Sequence, residues 1–526
     1  MPTQTKPAFP AAPESASAEK TRIGFVSLGC PKNLVDSEVM MGMLHNAGAE
    51  LTPQADTADV IVINTCSFID SAKQESVNTI LEMVQHKVAN GGQAKRVVVA
   101  GCLVERYRDE IIKNIPEVDA VVGTGELDAI LGAAGLTPKQ DANSPFKILS
   151  ESESTLIDRA PSAVKKHSAL EVKETTSRPE GDLREQQGRF SRTEWDGATA
   201  ALPDYLYDEN TPRILSTPRA SAYIKIAEGC DHPCGFCIIP QLRGKFRSRR
   251  IGSVLSEAES LLKQGVREIT LIGQDTTCFG EDLGMKDGLA QLLEALATME
   301  VPGIGRIKWL RFLYAYPNKV TTKLLETIAA HDNISKYLDV PLQHASATTL
   351  KRMKRGGHGD IFLKMIEKAR SIVPGIVIRT SFIVGFPGET DTEFEELESF
   401  IKAAKIDWLG VFTYSDEEGA AAFNLGEKVP KRTIEARRRR LMRVQQKISA
   451  KAREQWIGKT MEVLVEGVSE ETDLLWEGRT MLHAPEIDGK VLINDFGDHE
   501  TLVPGTFYKC EITEAHDYDV VARIIE

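Results

Sequence analysis

Three short apolar runs, RIGFVSLGC, ADVIVINTC and KRVVVAGC, each end in a cysteine, and those cysteines stand at positions 30, 66 and 102, 36 residues apart both times. A spacing of that size holds a strand, a helix and the return to the next strand, the repeat of a parallel α/β sheet. In open sheets of this kind the loops beyond the strand ends converge on a crevice. Cys30, Cys66 and Cys102 are therefore expected on one rim. A lone cysteine closing a buried strand is ordinary packing, because the side chain is small and apolar. Three at equivalent ends, two of them after a glycine, argue for a shared ligand set.

A second α/β region opens at SAYIKIAEGC and runs into EGCDHPCGFCIIP, which packs Cys230, Cys234 and Cys237 into eight positions. Three is one short of what a structural zinc or a fully ligated iron–sulfur cubane takes from a protein. A zinc reading would have to recruit His232 or a distant ligand. Thiolates this close, with Phe236 before the third, suit three corners of a cubane and leave one iron open. The eight cysteines of the chain, with no apolar export signal ahead of them, are a poor fit to a disulfide framework. Five more strand-like runs follow: EITLIGQD, WLRFLYAYP, YLDVPLQH, IVIRTSFIVGFP and WLGVFTYS. With helical stretches between them they make six β/α repeats, a partial barrel rather than a full eight-fold one. Gln274, Asp275, Gln343 and His344 fall at its mouth.

Residues 1–20 read as a polar disordered tail. Periodicity is lost again across 137–213, which reads as a disordered linker whose stretch 151–197 is dispensable for folding. From Lys431 to Arg453 a single helix carries ten Lys/Arg against one Glu. Beyond Trp456, apolar and polar residues alternate, the mark of a small all-β domain. That domain holds sixteen Asp/Glu and five Lys/Arg, a balance of −11 against −12 for the chain. The domains expected are thus 21–136, 214–453 and 456–526. No run reaches the roughly 18 apolar residues of a membrane span, and a cytoplasmic protein is expected.

The central motif resembles that of the radical S-adenosylmethionine (SAM) enzymes, whose open iron binds SAM and whose cluster cleaves it to a deoxyadenosyl radical. The phrases GCPKNLVDSE, INTCSFIDSAKQES, AYIKIAEGCDHPCGFCIIPQLRGKFRSR, FLYAYPNKVT, YLDVPLQHAS and GFPGETDTEFEE are similar to the methylthiotransferases, nearest the RimO-type branch. The resemblance covers about 22–136 and 214–526. It implies an open parallel α/β domain, a partial (β/α)6 radical-SAM barrel and a C-terminal TRAM/OB-like β domain. It also implies two 4Fe–4S clusters: one on Cys230, Cys234 and Cys237 that generates the radical, one on Cys30, Cys66 and Cys102 that carries sulfur. Phe236, Gln274, Gln343 and Arg379 are the candidates for cofactor contact, Arg379 through its fork.

The implied substrate is the β-carbon of an aspartate in the twelfth small-subunit ribosomal protein, a basic partner near the decoding centre, free or on the assembled subunit. An electron donor is required. The alternatives are a tRNA adenosine methylthiotransferase of the MiaB type and, in another class, an iron–sulfur electron carrier or RNA-binding protein. Acidic charge on the last domain disfavours tRNA, because phosphate neutralisation needs a basic surface. Two departures stand out. The glycine-rich motif after the second barrel strand reads LIGQDTT, and the insertion at 137–213 is longer than the resemblance implies. Cys278 is expected to be a bystander with no partner at ligand spacing, Cys510 core filling, His344 as much structural as chemical, and Arg437–Arg440 a solvated face.

Overall fold

The computed structural model describes residues 20–137, 146–148, 157–158, 202–470 and 472–526. The first unit alternates β1 (Arg22–Ser27), α1 (Pro31–Asn46), β2 (Glu50–Thr52), β3 (Val60–Thr65), α2 (Asp70–Met83), β4 (Arg96–Gly101), α3 (Cys102–Asn114) and β5 (Ala120–Val122). Its strands pair in parallel in the order β2-β1-β3-β4-β5. Val/Ile runs such as VIVINT suit a strand covered on both faces, and every residue of β3 is buried.

Six strands of the second unit follow in chain order: β6 (Ser221–Lys225), β7 (Glu268–Ile272), β8 (Trp309–Phe312), β9 (Tyr337–Asp339), β10 (Val377–Val384) and β11 (Trp408–Thr413). They form two parallel sheets of three, joined by a bridge between Leu310 and Ile334. The helices that cover them include α4 (Ile251–Lys263), α5 (Gly288–Thr298), α6 (Thr322–Ala330), α7 (Gly359–Ile372), α8 (Asp391–Ala404) and α9 (Lys431–Glu454). The six expected repeats are all present, as an open barrel.

Helix α1 is the wedge between the two units. It is buried along most of its length, Asp36 and Glu38 included. Glu38 accepts from Arg213 Nε and Nη2 at 2.9 and 2.6 Å, and Arg213 Nη1 reaches Glu257 Oε1 at 2.7 Å. All three side chains are fully buried. The expected linker does not extend to 213, since Tyr207 and Arg213 are core residues. Polarity misled there: an arginine that neutralises two buried acids has the composition of a loop and the burial of a core residue. The expectation for 151–197 lies outside the described residues, apart from a strand at Ile157–Asp158.

The last unit is a closed barrel of β12 (Thr460–Val468), β13 (Trp476–Arg479), β14 (Val491–Asp495), β15 (Phe507–Ala515) and β16 (Val520–Ile524), ordered β12-β13-β14-β16-β15. Burial alternates along β15, as period-two patterning requires, and Cys510 is wholly buried in this core. This barrel plugs the end of the larger one where the strands begin. Arg479 pairs with Glu268, Tyr337 Oη donates to Asp488 Oδ2 at 2.6 Å, and Trp408 Nε1 donates to the Leu482 carbonyl at 3.2 Å. The opposite, strand-end face is left to α1 and the cysteines. Among the described residues no helix is long and apolar enough to cross a membrane.

Candidate active site

Cys30 caps α1, Cys66 follows β3 and Cys102 opens α3 directly after β4. Local backbone chemistry sets these positions. Gly29 has φ +93°, and a Cβ there would lie 2.8 Å from Cys66 Cβ and 3.1 Å from its Sγ. Gly101 has φ +94°, and a Cβ would strike Asn64 Oδ1 and the Thr65 carbonyl. Only glycine tolerates both demands. Burial is the largest influence on the Cys66 thiol and pushes its pKa up; Cys102 and Cys30 push it further. Burial also pushes Cys102 up, against Arg243. Such thiols stay protonated on their own and give up their protons to a metal.

The second set lies just beyond β6. The loop is pinned where Gly235 N donates to the Met353 carbonyl at 2.8 Å and the Gly235 carbonyl accepts from Ala422 N at 2.7 Å. Burial pushes Cys230 up to about 11 and Cys237 up to about 12, and both feel Cys234. Arg355 donates to Cys234 Sγ at 3.4 Å and to the Pro341 carbonyl at 2.9 Å, and lies 4.4 Å from the Tyr316 ring. All eight cysteines are free thiols, so each set of three is available as ligands.

The two sets are linked through packing and one buried arginine. Cys102 packs against Ile238 and Leu242, residues of the segment that follows Cys237. That segment ends in Arg243, which is buried and touches both sides. Its Nη2 reaches Cys102 Sγ at 3.4 Å and Asn33 Oδ1 at 3.1 Å, while its Nη1 reaches Asp36 Oδ2 at 2.5 Å and Glu228 Oε2 at 3.3 Å. Lys225 joins the same two acids. Burial opposes the charge on Glu228, but Lys225 and Arg243 outweigh it and hold the carboxyl at about 2. The wall between the two sets is therefore ionic.

Of the other candidates, Gln274 lies on this wall, donating to Glu228 Oε1, while its own Oε1 is buried with no donor. Phe236 packs at the edge of the barrel core. Gln343 stands at the mouth with φ +71°, and Tyr314 on the neighbouring strand end has φ +65°. Two non-glycine residues in the left-handed region on adjacent strand ends mark a constrained rim. Arg379 points elsewhere: it is inside the barrel with Asp339 Oδ1 at 2.8 Å and Asp488 Oδ1 at 3.5 Å. His344 is buried, its Nδ1 accepting from Ser346 N and its Nε2 3.6 Å from Glu389.

Cys278 is not isolated as expected. Its Sγ donates to Asp275 Oδ2 at 3.1 Å, and His232 Nε2 meets the same oxygen at 2.6 Å. Residues far apart in sequence meet here because they follow adjacent strands. The sequence reading also missed Arg243, Lys225, Glu228, Lys32 and Arg355. Only the phrases that contain them could have pointed there, since a buried charge has no local signature.

The donor chemistry fits iron–sulfur clusters of three protein ligands each, and the orphaned Gln274 Oε1 fits a ligand that brings a donor. Family profiles match at residues 22–123 (uncharacterized protein family UPF0004), 224–401 (radical SAM superfamily) and 457–525 (TRAM domain). A ribosomal protein uS12 methylthiotransferase RimO from Koribacter versatilis is 65% identical over 97% of this chain and 98% of its own length. The chain belongs to the RimO family. Members from Solibacter usitatus and Aquifex aeolicus are 54% and 40% identical over 96% of this chain, and over 95% and 98% of their own lengths. RimO membership covers all three units, and its radical SAM part brings SAM and a 4Fe–4S cluster as cofactors.

Proposed function

We propose that this chain replaces a hydrogen on the β-carbon of an aspartate of ribosomal protein uS12 with a methylthio group. Cys230, Cys234 and Cys237 would hold one 4Fe–4S cluster, and Cys30, Cys66 and Cys102 a second. Bound there, the first cluster with SAM supplies hydrogen abstraction at an unactivated carbon, and the second supplies sulfur. The chain's own part is positioning. Arg243 and its acids fix the spacing between the two thiol sets, α1 excludes water from one side, and Gln274 offers an acceptor at the rim. What supports this reading is the link between the two units at the thiols, where Arg243, six residues beyond Cys237, reaches Cys102 Sγ. A simple electron carrier has no use for two open sites.

The protein substrate is favoured over tRNA by charge as well as by kinship. The C-terminal barrel exposes Asp473, Asp495, Asp498 and Glu500. Acidic surface steers a basic protein and repels phosphate. The basic helix α9 offers less to nucleic acid than its composition implies, because Arg437 is committed to Asp391 and Arg440 to Glu398. An electron donor completes the reaction. Mass spectrometry of ribosomal proteins and tRNA from cells lacking the gene tests the reading. The expected result is loss of one methylthio group from uS12 with tRNA unchanged; the reverse pattern overturns it.

A further inference from the structure

Lys32 occupies the first turn of α1, two residues after Cys30, and its side chain reaches the barrel mouth at Tyr314. Its Nζ lies 3.3 Å from the centroid of the Tyr314 ring, at the end of β8. Tyr314 is itself fixed, its N donating to Asp339 Oδ2 at 2.9 Å and its carbonyl accepting from Thr276 N at 3.1 Å. The neighbouring cations are all committed. Arg243 and Lys225 share Asp36 and Glu228, and Arg379 holds Asp339 and Asp488. Arg355 is spent on Cys234 and the Pro341 carbonyl, on the far set of thiols. Among the described residues Lys32 is held by Tyr314, through its ring face and its side-chain hydrogen bond, with no carboxylate paired to it. The bland reading is a cation–π contact that merely anchors the helix. Yet an ammonium has three donors, and the Tyr314 hydroxyl takes one of them.

We propose that the Lys32 ammonium receives the side-chain carboxylate of the target aspartate. This rests on the functional reading above and sharpens it. The carbon to be modified is next to that carboxylate, so its receptor must stand between the two thiol sets. Lys32 does: it shares a turn with Cys30 and touches the mouth that Cys230, Cys234 and Cys237 border. A nucleobase would bring no negative charge to the same place and would leave the cation unpaired. The position thus selects an acidic residue, while Arg355 remains on the side where SAM is expected.

The test uses the full chain with reconstituted clusters and purified uS12 in two forms, one with the target aspartate and one with asparagine there. Wild-type protein is expected to bind the aspartate form about tenfold more tightly, the worth of one charge-assisted hydrogen bond. Lys32→Met should bring the two affinities within about twofold, and Lys32→Arg should keep most of the preference. SAM affinity should be equal in all three proteins. Equal binding of both uS12 forms by the wild type overturns the proposal, whatever the variants do. So does a Lys32→Met protein that keeps the preference, or one that loses SAM affinity and keeps the preference, which would assign the ammonium to SAM's own carboxylate. A wild type that neither binds nor modifies uS12 would instead defeat the functional reading.

Discussion

Arg243 illustrates how single residues hold this molecule together. Its guanidinium directly contacts Asp36, Glu228, Asn33 and a cysteine thiol. Removing one partner of such a group strands the others in low dielectric, a cost of about 3–5 kcal/mol. Arg243→Met should therefore lower the urea midpoint by an amount equivalent to that range. Lys509→Ala, which breaks an exposed pair with Glu526, should move stability by at most about 1 kcal/mol. Similar losses in the two variants would refute the claim that the buried ion cluster around Arg243 is a lock. Arg213→Met probes the same physics at the clamp on Glu38 and Glu257, with the same range expected in the same measurement. None of these partnerships has a trace in the local sequence. Arginine looks alike on a surface and in a core until the acids opposite it are known.

The elements were far more legible than their seams. Val/Ile runs spaced 36 residues apart marked the first sheet, and period-two alternation marked the C-terminal barrel, because both patterns are local. The docking of that barrel onto the strand starts was invisible, since it joins Trp408, Trp456 and His483 from three distant elements. The His483 ring lies 5.3 Å from Trp408 and 5.4 Å from Trp456, with Thr480 Oγ1 2.8 Å from its Nδ1. Burial, then Arg453, Arg311 and Arg479, hold its pKa well below the ordinary 6.5. The unfolded chain thus takes up this proton first, and stability is lost as pH falls below about 6.5. Between about pH 7 and pH 5 the wild-type melting temperature should fall more steeply than that of His483→Gln. Parallel slopes would show that the buried histidine does not titrate on unfolding. The site was legible to the same degree as the elements: six cysteines at strand ends could be read, but Cys278 meeting His232 through Asp275 could not.

Across the whole molecule, charge is unevenly spread. The C-terminal barrel carries a balance of −11, almost the net charge of the chain, while at the thiol sets buried Asp36 and Glu228 are paired with buried Lys225 and Arg243. A basic ribosomal protein steered by that surface should bind the full chain less tightly as salt rises, because exposed charges are screened beyond about 10 Å at 0.1 M. Asp495→Asn with Asp498→Asn and Glu500→Gln should slow association and flatten the salt dependence; an unchanged salt slope would remove the barrel from substrate recruitment. Everything nevertheless turns on two separate clusters held by two sets of thiols. Iron analysis and SAM cleavage in two triple variants test that directly. Replacing Cys30, Cys66 and Cys102 by Ala should leave about half the wild-type iron and retain SAM cleavage, whereas replacing Cys230, Cys234 and Cys237 should leave the other half and abolish it. Wild-type iron content in either variant, or SAM cleavage surviving in the second, would contradict the account.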